Sequence, residues 1–331
     1  MKAYVIEQET DRGLDAIKLA EVPVPAVGPG QVLVKVHAVG LNPVDYKLAE
    51  GGDPDWSFPH TLGLDVAGEI AAIGPDVSED WHLGMRVAGH GDLRYDGCFA
   101  EYVASPTYEL ARIPDDVSYT TAAGLLCSAL TAYQTINRKP NLNNVHTALI
   151  HGGSGAVGGI AVQLAKMHGL TVFTTCSTAK VDYVRKHLDV DAVIDYRKED
   201  VTERIGELTN GLGVDLVVDT VSGAEAERDF DRLAYNGQLV TIVGVPNIDG
   251  DDMFGRGLSM AVVNLGGAHG SGDPRQQNDL GTMATDVLEM ASQGRLDPLI
   301  ERILPFDELV DGLKTLAAGK VTGKLVVSLD I

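Results

Sequence analysis

Apolar and polar residues alternate over Gln31–Val36 (Gln-Val-Leu-Val-Lys-Val), the period-two pattern of a half-buried strand. Pro23, Pro25, Gly28, Pro29 and Gly30 immediately before it can only be loop. Further β-type segments fall around Asp65–Ile73 and Cys98–Val103, so residues 1–120 predict a mostly antiparallel, partly closed β structure. The texture changes near Tyr119. Thr120–Thr135 is rich in Ala and Leu at helical spacing, and from there to about residue 245 strand-type and helix-type runs alternate. The strands are Thr147–His151, Thr171–Thr174, Ala192–Ile194, Leu216–Asp219 and Gln238–Val243, and the helices between them include Val157–His168 and Lys180–His187. That order predicts βαβ units around a parallel sheet. The tail reads β over Leu299–Phe306, helix over Asp307–Ala318 and β over Lys324–Leu329, which resembles the first part more than the middle. The expected organisation is α/β with two domains: residues 1–124 and 295–331 forming one, residues 125–294 the other.

Composition narrows the function classes. A chain of 331 residues suits two cores, and 44% apolar against 5% aromatic residues means aliphatic packing fills them. The formal charge of −21 would repel phosphate, which argues against nucleic acid and against anionic membrane surfaces as partners. No stretch approaches the ~18 apolar residues that span a bilayer, and Met1–Glu9 reads as a strand rather than a signal peptide. Three scattered cysteines (Cys98, Cys127, Cys176) give no disulfide framework, so a reducing cytoplasm is the expected setting. The nine histidines form no metal-binding spacing.

The strongest chemical signal is Ala148-Leu-Ile-His-Gly-Gly-Ser-Gly-Ala-Val-Gly158, a buried strand running into a glycine-rich turn and then a helix. Gly152, Gly155 and Gly158 permit a sharp turn, close approach to a pyrophosphate and tight helix–strand packing, and the helix N-terminus offers unpaired N–H groups to phosphate. The spacing is Gly-x-x-Gly-x-x-Gly rather than Gly-x-Gly-x-x-Gly. A nicotinamide dinucleotide is the expected cofactor. An NAD enzyme places an acid at the end of the second strand for the ribose 2′-hydroxyl. Here Thr171–Thr175 runs into Cys176-Ser177-Thr178-Ala179-Lys180 with no acid before Asp182. Ser177, Thr178 and Lys180 can donate to a 2′-phosphate, so NADPH is expected, although Lys180 reads equally well as a solvated helix residue.

At this point the sequence resembles the medium-chain dehydrogenase/reductase superfamily, in its quinone oxidoreductase and enone reductase branch. The resemblance rests on Gly40-Leu-Asn-Pro-Val-Asp-Tyr-Lys47, Leu62-Gly-Leu-Asp-Val-Ala-Gly68, Gly97-Cys-Phe-Ala-Glu-Tyr102, Ala129-Leu-Thr-Ala-Tyr133, the glycine turn and Gly323-Lys324. It implies a split GroES-like, mostly antiparallel catalytic domain flanking a doubly wound Rossmann domain, with the active site in the cleft. It further implies that Asn42 and Thr131 lie near the nicotinamide. Ser154, Gly155, Ala156 and Val157 would hold the pyrophosphate, and Lys180 and Tyr196 would surround the adenosine phosphate. Val243, Gly244 and Val245 would line the nicotinamide pocket, with Lys324 also toward the cofactor. Zinc members of the superfamily bind their metal through Cys, His and Cys or Asp. At the first position this chain has Asn42, and Gly63-Leu64-Asp65 replaces the Gly-His-Glu of the second. Only Cys127 falls near the third, where it reads as a small buried hydrophobe. One ligand is too few for a catalytic zinc, so no metal is expected.

Without a metal, the hydride acceptor must already be electron-poor, as quinones and other conjugated carbonyl compounds are. Asn42, Tyr46 and Lys47, on the loop 40–47, are the candidate donors to the developing oxyanion; Asn42 also reads as a turn residue and Lys47 as a solvated side chain. The alternatives are an enone, acrylate or 2-alkenal double-bond reductase lacking quinone activity, and a non-catalytic, crystallin-like NADPH-binding protein. The apolar stretch Ser259–Leu265 is expected at the sheet edge, pairing with its copy in a homodimer.

Overall fold

The computed structural model describes residues 1–330. Two compact units emerge, Met1–Leu130 together with the chain from Leu265 onward, and Thr131–Asn264.

The first unit opens with β1 (Lys2–Ile6), β2 (Lys18–Glu21) and β3 (Gln31–Leu41), then helix α1 (Pro43–Gly51) and strands β4 (His60–Thr61), β5 (Asp65–Ile73), β6 (Arg86–His90), β7 (Tyr102–Pro106) and β8 (Leu110–Arg112). β1 pairs with β2 and β4, β3 with β5 and β7, β5 with β6, and β6 with β8, all antiparallel. The strand expected over Cys98–Val103 begins only at Tyr102; Ala100 instead makes an isolated bridge to Ala3. The expected loop 40–47 is likewise different. Asn42 is extended (φ −130°, ψ 152°) and caps α1, Pro43 takes the first helical turn, and the Asp45 carboxylate accepts the Asn42 N–H at 2.7 Å. A cap, a proline at the start and an acid at the third position are a helix N-terminus.

Helix α2 (Tyr119–Tyr133) and a single π-helical turn, Gln134–Arg138, lead into the second unit. There β9 (Thr147–Ile150), α3 (Ala156–Met167), β10 (Thr171–Cys176), α4 (Val181–His187), β11 (Ala192–Asp195), α5 (Val201–Leu208), β12 (Val214–Asp219), α6 (Gly223–Asp229), β13 (Leu233–Thr241), α7 (Gly250–Arg256) and β14 (Ser259–Val262) follow in turn. All six strands are parallel, in the order β11-β10-β9-β12-β13-β14. Leu149, Phe173, Ile194, Val217 and Leu239 fill the interior, as a parallel sheet covered on both faces requires. The strand order reverses between β9 and β12, and a doubly wound sheet binds its ligand outside the carboxyl ends of the strands at such a point.

The chain then forms α8 (Pro274–Ser292), β15 (Ile300–Pro305), α9 (Leu309–Ala317) and β16 (Lys324–Ser328). β16 pairs antiparallel with β3 and parallel with β15, which gives the path β15-β16-β3-β5-β6-β8 and joins the tail to the first unit. Helix α8, expected in the second domain, packs with the first unit. Its buried face carries Leu280, Met283, Ala284, Val287 and Leu288, and Gly281 lies so close to β8 that a Cβ there would stand 2.7 Å from the Tyr108 carbonyl oxygen. The units therefore divide after residues 130 and 264, where the sequence pattern suggested 124 and 294. Among the described residues no helix is long and apolar enough to cross a membrane.

Candidate functional site

In the second unit, β9 ends at Ile150 and the chain turns through His151-Gly152-Gly153-Ser154-Gly155 into α3. Gly152 has φ +69°, a left-handed conformation that favours glycine. A Cβ on Gly158 would stand 2.3 Å from the Gly152 carbonyl oxygen, so the first turn of α3 lies directly on the glycine turn. Gly155 caps the helix, and by helix geometry the N–H groups of Ala156, Val157 and Gly158 have no acceptor within it. Thr175 holds the turn from below, accepting the Gly152 N–H at 3.2 Å and contacting His151 Nδ1 at 3.1 Å.

Beside this turn lies a cavity of about 620 Å³, lined among others by Gly152, Ser154, Gly155, Ser177, Lys180 and Tyr196. A glycine turn that no side chain may fill, helix N–H groups and hydroxyls fit a dinucleotide phosphate. Six of the residues expected to hold the cofactor thus share one cavity. Ala156, Val157 and Gly158, in the first turn of α3, are not among its lining residues. Buried Thr131 on α2 is not among its lining residues, nor are Val243, Gly244 and Val245 in the segment after β13, where Val243 and Val245 are exposed. Sequence reasoning missed Arg228 and Arg232 in its lining. Arg232 is buried and pairs with Glu225 at 2.5 Å and Asp229 at 2.7 Å, while Asp229 also meets His151 Nε2 at 2.8 Å. Two acids in the lining are already engaged: Asp200 accepts Glu203 N–H as the cap of α5, and Glu199 pairs with Arg204 at 3.5 Å.

A second polar centre lies in the first unit. Strand register builds it, since Leu325 on β16 faces Leu41 on β3, Gly40 faces Asp65 on β5, and Asp65 faces His90 on β6. Lys324, Asn42, Asp65 and His90 are thereby gathered at one end of four adjacent strands. The Lys324 ammonium donates to Asn42 Oδ1 at 2.5 Å and to Asp65 Oδ2 at 3.0 Å; Asn42 Nδ2 donates to Asp65 Oδ2 at 2.8 Å, and the Cys127 N–H donates to Asp65 Oδ1 at 2.9 Å. All three side chains are buried. Outward from His90 Nδ1, His269 Nε2 follows at 3.4 Å and the Tyr108 hydroxyl lies 3.0 Å from His269 Nδ1. Burial lowers the His90 pKa, and burial together with neighbouring His90 brings that of His269 down to about 4.

This geometry bears on the catalytic candidates. Both N–H groups of the Asn42 amide are committed, one to Asp65 and one to the Gly40 carbonyl. Lys324, expected toward the cofactor, is buried against Asp65 and Asn42. Tyr46 is half-buried and Lys47 exposed on α1. The metal count also needs correcting. Only Cys127 was expected as a ligand, yet Asp65, His90 and Cys127 bring three donor atoms within 4.8 Å of one another. With a buried ammonium already 3.0 Å from the Asp65 carboxylate, that set does not fit a resident zinc.

An antiparallel unit completed by the chain's tail, with a parallel, doubly wound unit inserted, is a GroES-like unit combined with a Rossmann-type unit. Residues 28–115 match the family profile of the alcohol dehydrogenase GroES-like domain and residues 188–327 that of zinc-binding dehydrogenases. The trans-enoyl reductase pgmF of Aspergillus terreus is 32% identical, over 92% of this chain and 88% of its own. The chain also matches the phthioceranic/hydroxyphthioceranic acid synthase of Mycobacterium tuberculosis at 30% identity over 97% of its residues, but spans only 15% of that protein's length. Among solved structures, a quinone oxidoreductase of Pseudomonas syringae superposes with a TM-score of 0.87 at 26% identity, covering 99% of this chain and 100% of that one. A mycobacterial protein solved with NADPH gives the same score, identity and coverage. The chain belongs to the medium-chain dehydrogenase/reductase superfamily, in the branch of quinone oxidoreductases and enoyl reductases.

Proposed function

We propose that this protein is a zinc-independent, NADPH-dependent reductase that passes hydride to quinones or other conjugated carbonyl compounds. The observation that carries the reading is the Lys324 ammonium buried against Asp65 and Asn42, among the donors a catalytic metal would need. With that position taken by the protein's own cation, no Lewis acid is available to polarise a simple aldehyde. The acceptor must then delocalise the arriving charge itself.

Bound NADPH supplies the hydride. Ser154 and Gly155 with the α3 N-terminus would hold its pyrophosphate, while Ser177 and Lys180 at the end of β10 would favour a 2′-phosphate over a 2′-hydroxyl. Among the described residues Tyr46 and Lys47 make no hydrogen bond or ion pair, so their donors remain for a ligand, and Tyr46 is the better-sheltered proton source. The trans-enoyl reductase relative supports a second reading, reduction of an activated double bond without quinone activity. We also propose a homodimer paired through β14, which stands at the edge of the parallel sheet. A screen of NADPH oxidation across quinones, enones, acrylates and simple aldehydes tests the substrate assignment. Turnover of quinones or enones is expected, and turnover of simple aldehydes alone contradicts it.

A further inference from the structure

We propose that Lys324 is the resident cation of a three-donor metal site, and that Asp65, His90 and Cys127 take up a divalent transition metal once its ammonium is removed. The inference rests on neither the proposed substrate nor the cofactor preference.

A carboxylate, an imidazole and a thiol are the ligand types that hold zinc or cobalt. Here they come from the start of β5, the end of β6 and the middle of α2, with their donor atoms within 4.8 Å of one another. Ligand bonds of ~2.0–2.3 Å would place an ion at the centre of this set, close to the ammonium that stands 3.0 Å from Asp65 Oδ2. A dication and an ammonium would then share one carboxylate inside the protein, where charges are poorly screened. The two cannot coexist.

A second three-donor group, His151, Glu225 and Asp229, is arranged in the same way. There Arg232 bridges Glu225 and Asp229. Each group of potential ligands therefore carries a protein cation on its carboxylates. The two differ in how readily the cation can be dispensed with. Arg232 ties two carboxylates together. Lys324 neutralises one, and its loss leaves Asp65 without a counter-charge beside Asn42 Oδ1, an oxygen released from the same ammonium. Binding of a divalent ion restores that charge balance, with Cys127 giving up its proton on ligation.

The test is titration of the full-length wild-type protein and its Lys324→Ala variant with Co²⁺, followed by absorption spectroscopy, with Zn²⁺ added in parallel thermal melts. Lys324→Ala is expected to bind about one Co²⁺ per chain with thiolate-to-cobalt charge-transfer absorption, and its melting temperature is expected to rise with Zn²⁺. Wild type should show neither. Adding Cys127→Ser should abolish the charge-transfer absorption, and adding His90→Ala should weaken binding by at least about tenfold. A folded Lys324→Ala protein that takes up no Co²⁺ overturns the proposal. So does an identical spectrum from wild type, or uptake indifferent to both added substitutions. If Lys324→Ala does not fold alone, recovery of the fold with Zn²⁺ supports the site. Failure to recover it, in that variant and in Lys324→Met, counts against it.

Discussion

Asp45 sits at the third position of α1 with no exposed surface, its carboxylate accepting the Asn42 N–H while its other oxygen has no partner. Burial raises its pKa from 3.8 to about 8 and outweighs the opposing N–H bond. Between these values the native state keeps a proton that the unfolded chain has released, so this group makes stability fall as pH rises, by up to ~1.4 kcal/mol per pH unit. Asp45→Asn keeps an oxygen for the Asn42 N–H and removes the titration. Denaturant unfolding from pH 4 to 8 should therefore show the variant gaining on wild type as pH increases, and parallel curves would refute the assignment. At the cofactor cavity, loss of a charge-assisted contact is worth ~1.5–3 kcal/mol. Lys180→Ala should raise the NADPH dissociation constant roughly tenfold or more and leave that of NADH nearly unchanged. Equal affinities of the wild type for the two cofactors would contradict the preference itself.

At the scale of elements, the strand–turn–helix β9 to α3 is where the sequence speaks most directly, because every residue that shapes it lies within a short run. Even there one residue escaped notice. A Cβ on Gly153 would stand 2.3 Å from Thr174 Oγ1, whose hydroxyl donates to the Ile150 carbonyl at 2.6 Å. Gly153→Ala should cost about 1–3 kcal/mol through overpacking and weaken NADPH binding as the turn shifts, measurable as a lower melting temperature and a smaller rise with NADPH. The N-terminus of α1 is equally legible in Asn42, Pro43 and Asp45, a cap, a proline at the start and an acid at the third position. The Lys324–Asp65 pair was not legible. Its members are 259 residues apart, and only the pairing of β16 with β3 and of β3 with β5 brings them together. His90 and Cys127 join them by the same route, as scattered residues whose spacing carries no signal. The packing partner of helix α8 was not legible either: its apolar stripe says that it packs, while only Gly281 against the Tyr108 carbonyl shows on what.

At the scale of the whole molecule, β14 is paired on one side only, with Ser259 and Val262 exposed. An edge of this kind invites pairing with a second copy. Light scattering at working concentration should give twice the chain mass. The Val263 N–H donates to Thr241 on the β13 side, so the Val262 N–H faces the open edge, and a proline at Val262, which removes that edge donor, should shift the population toward monomer. A wild-type monomer would rule the dimer out. A dinucleotide cavity built on the glycine turn and a polar centre whose cation is a lysine imply hydride transfer without a metal. The measurement that tests it most directly is the rate of NADPH oxidation by a conjugated carbonyl acceptor before and after exhaustive treatment with a chelator. Equal rates are expected, in protein shown by elemental analysis to be free of zinc. A rate that is lost with the metal and restored by adding zinc would contradict it.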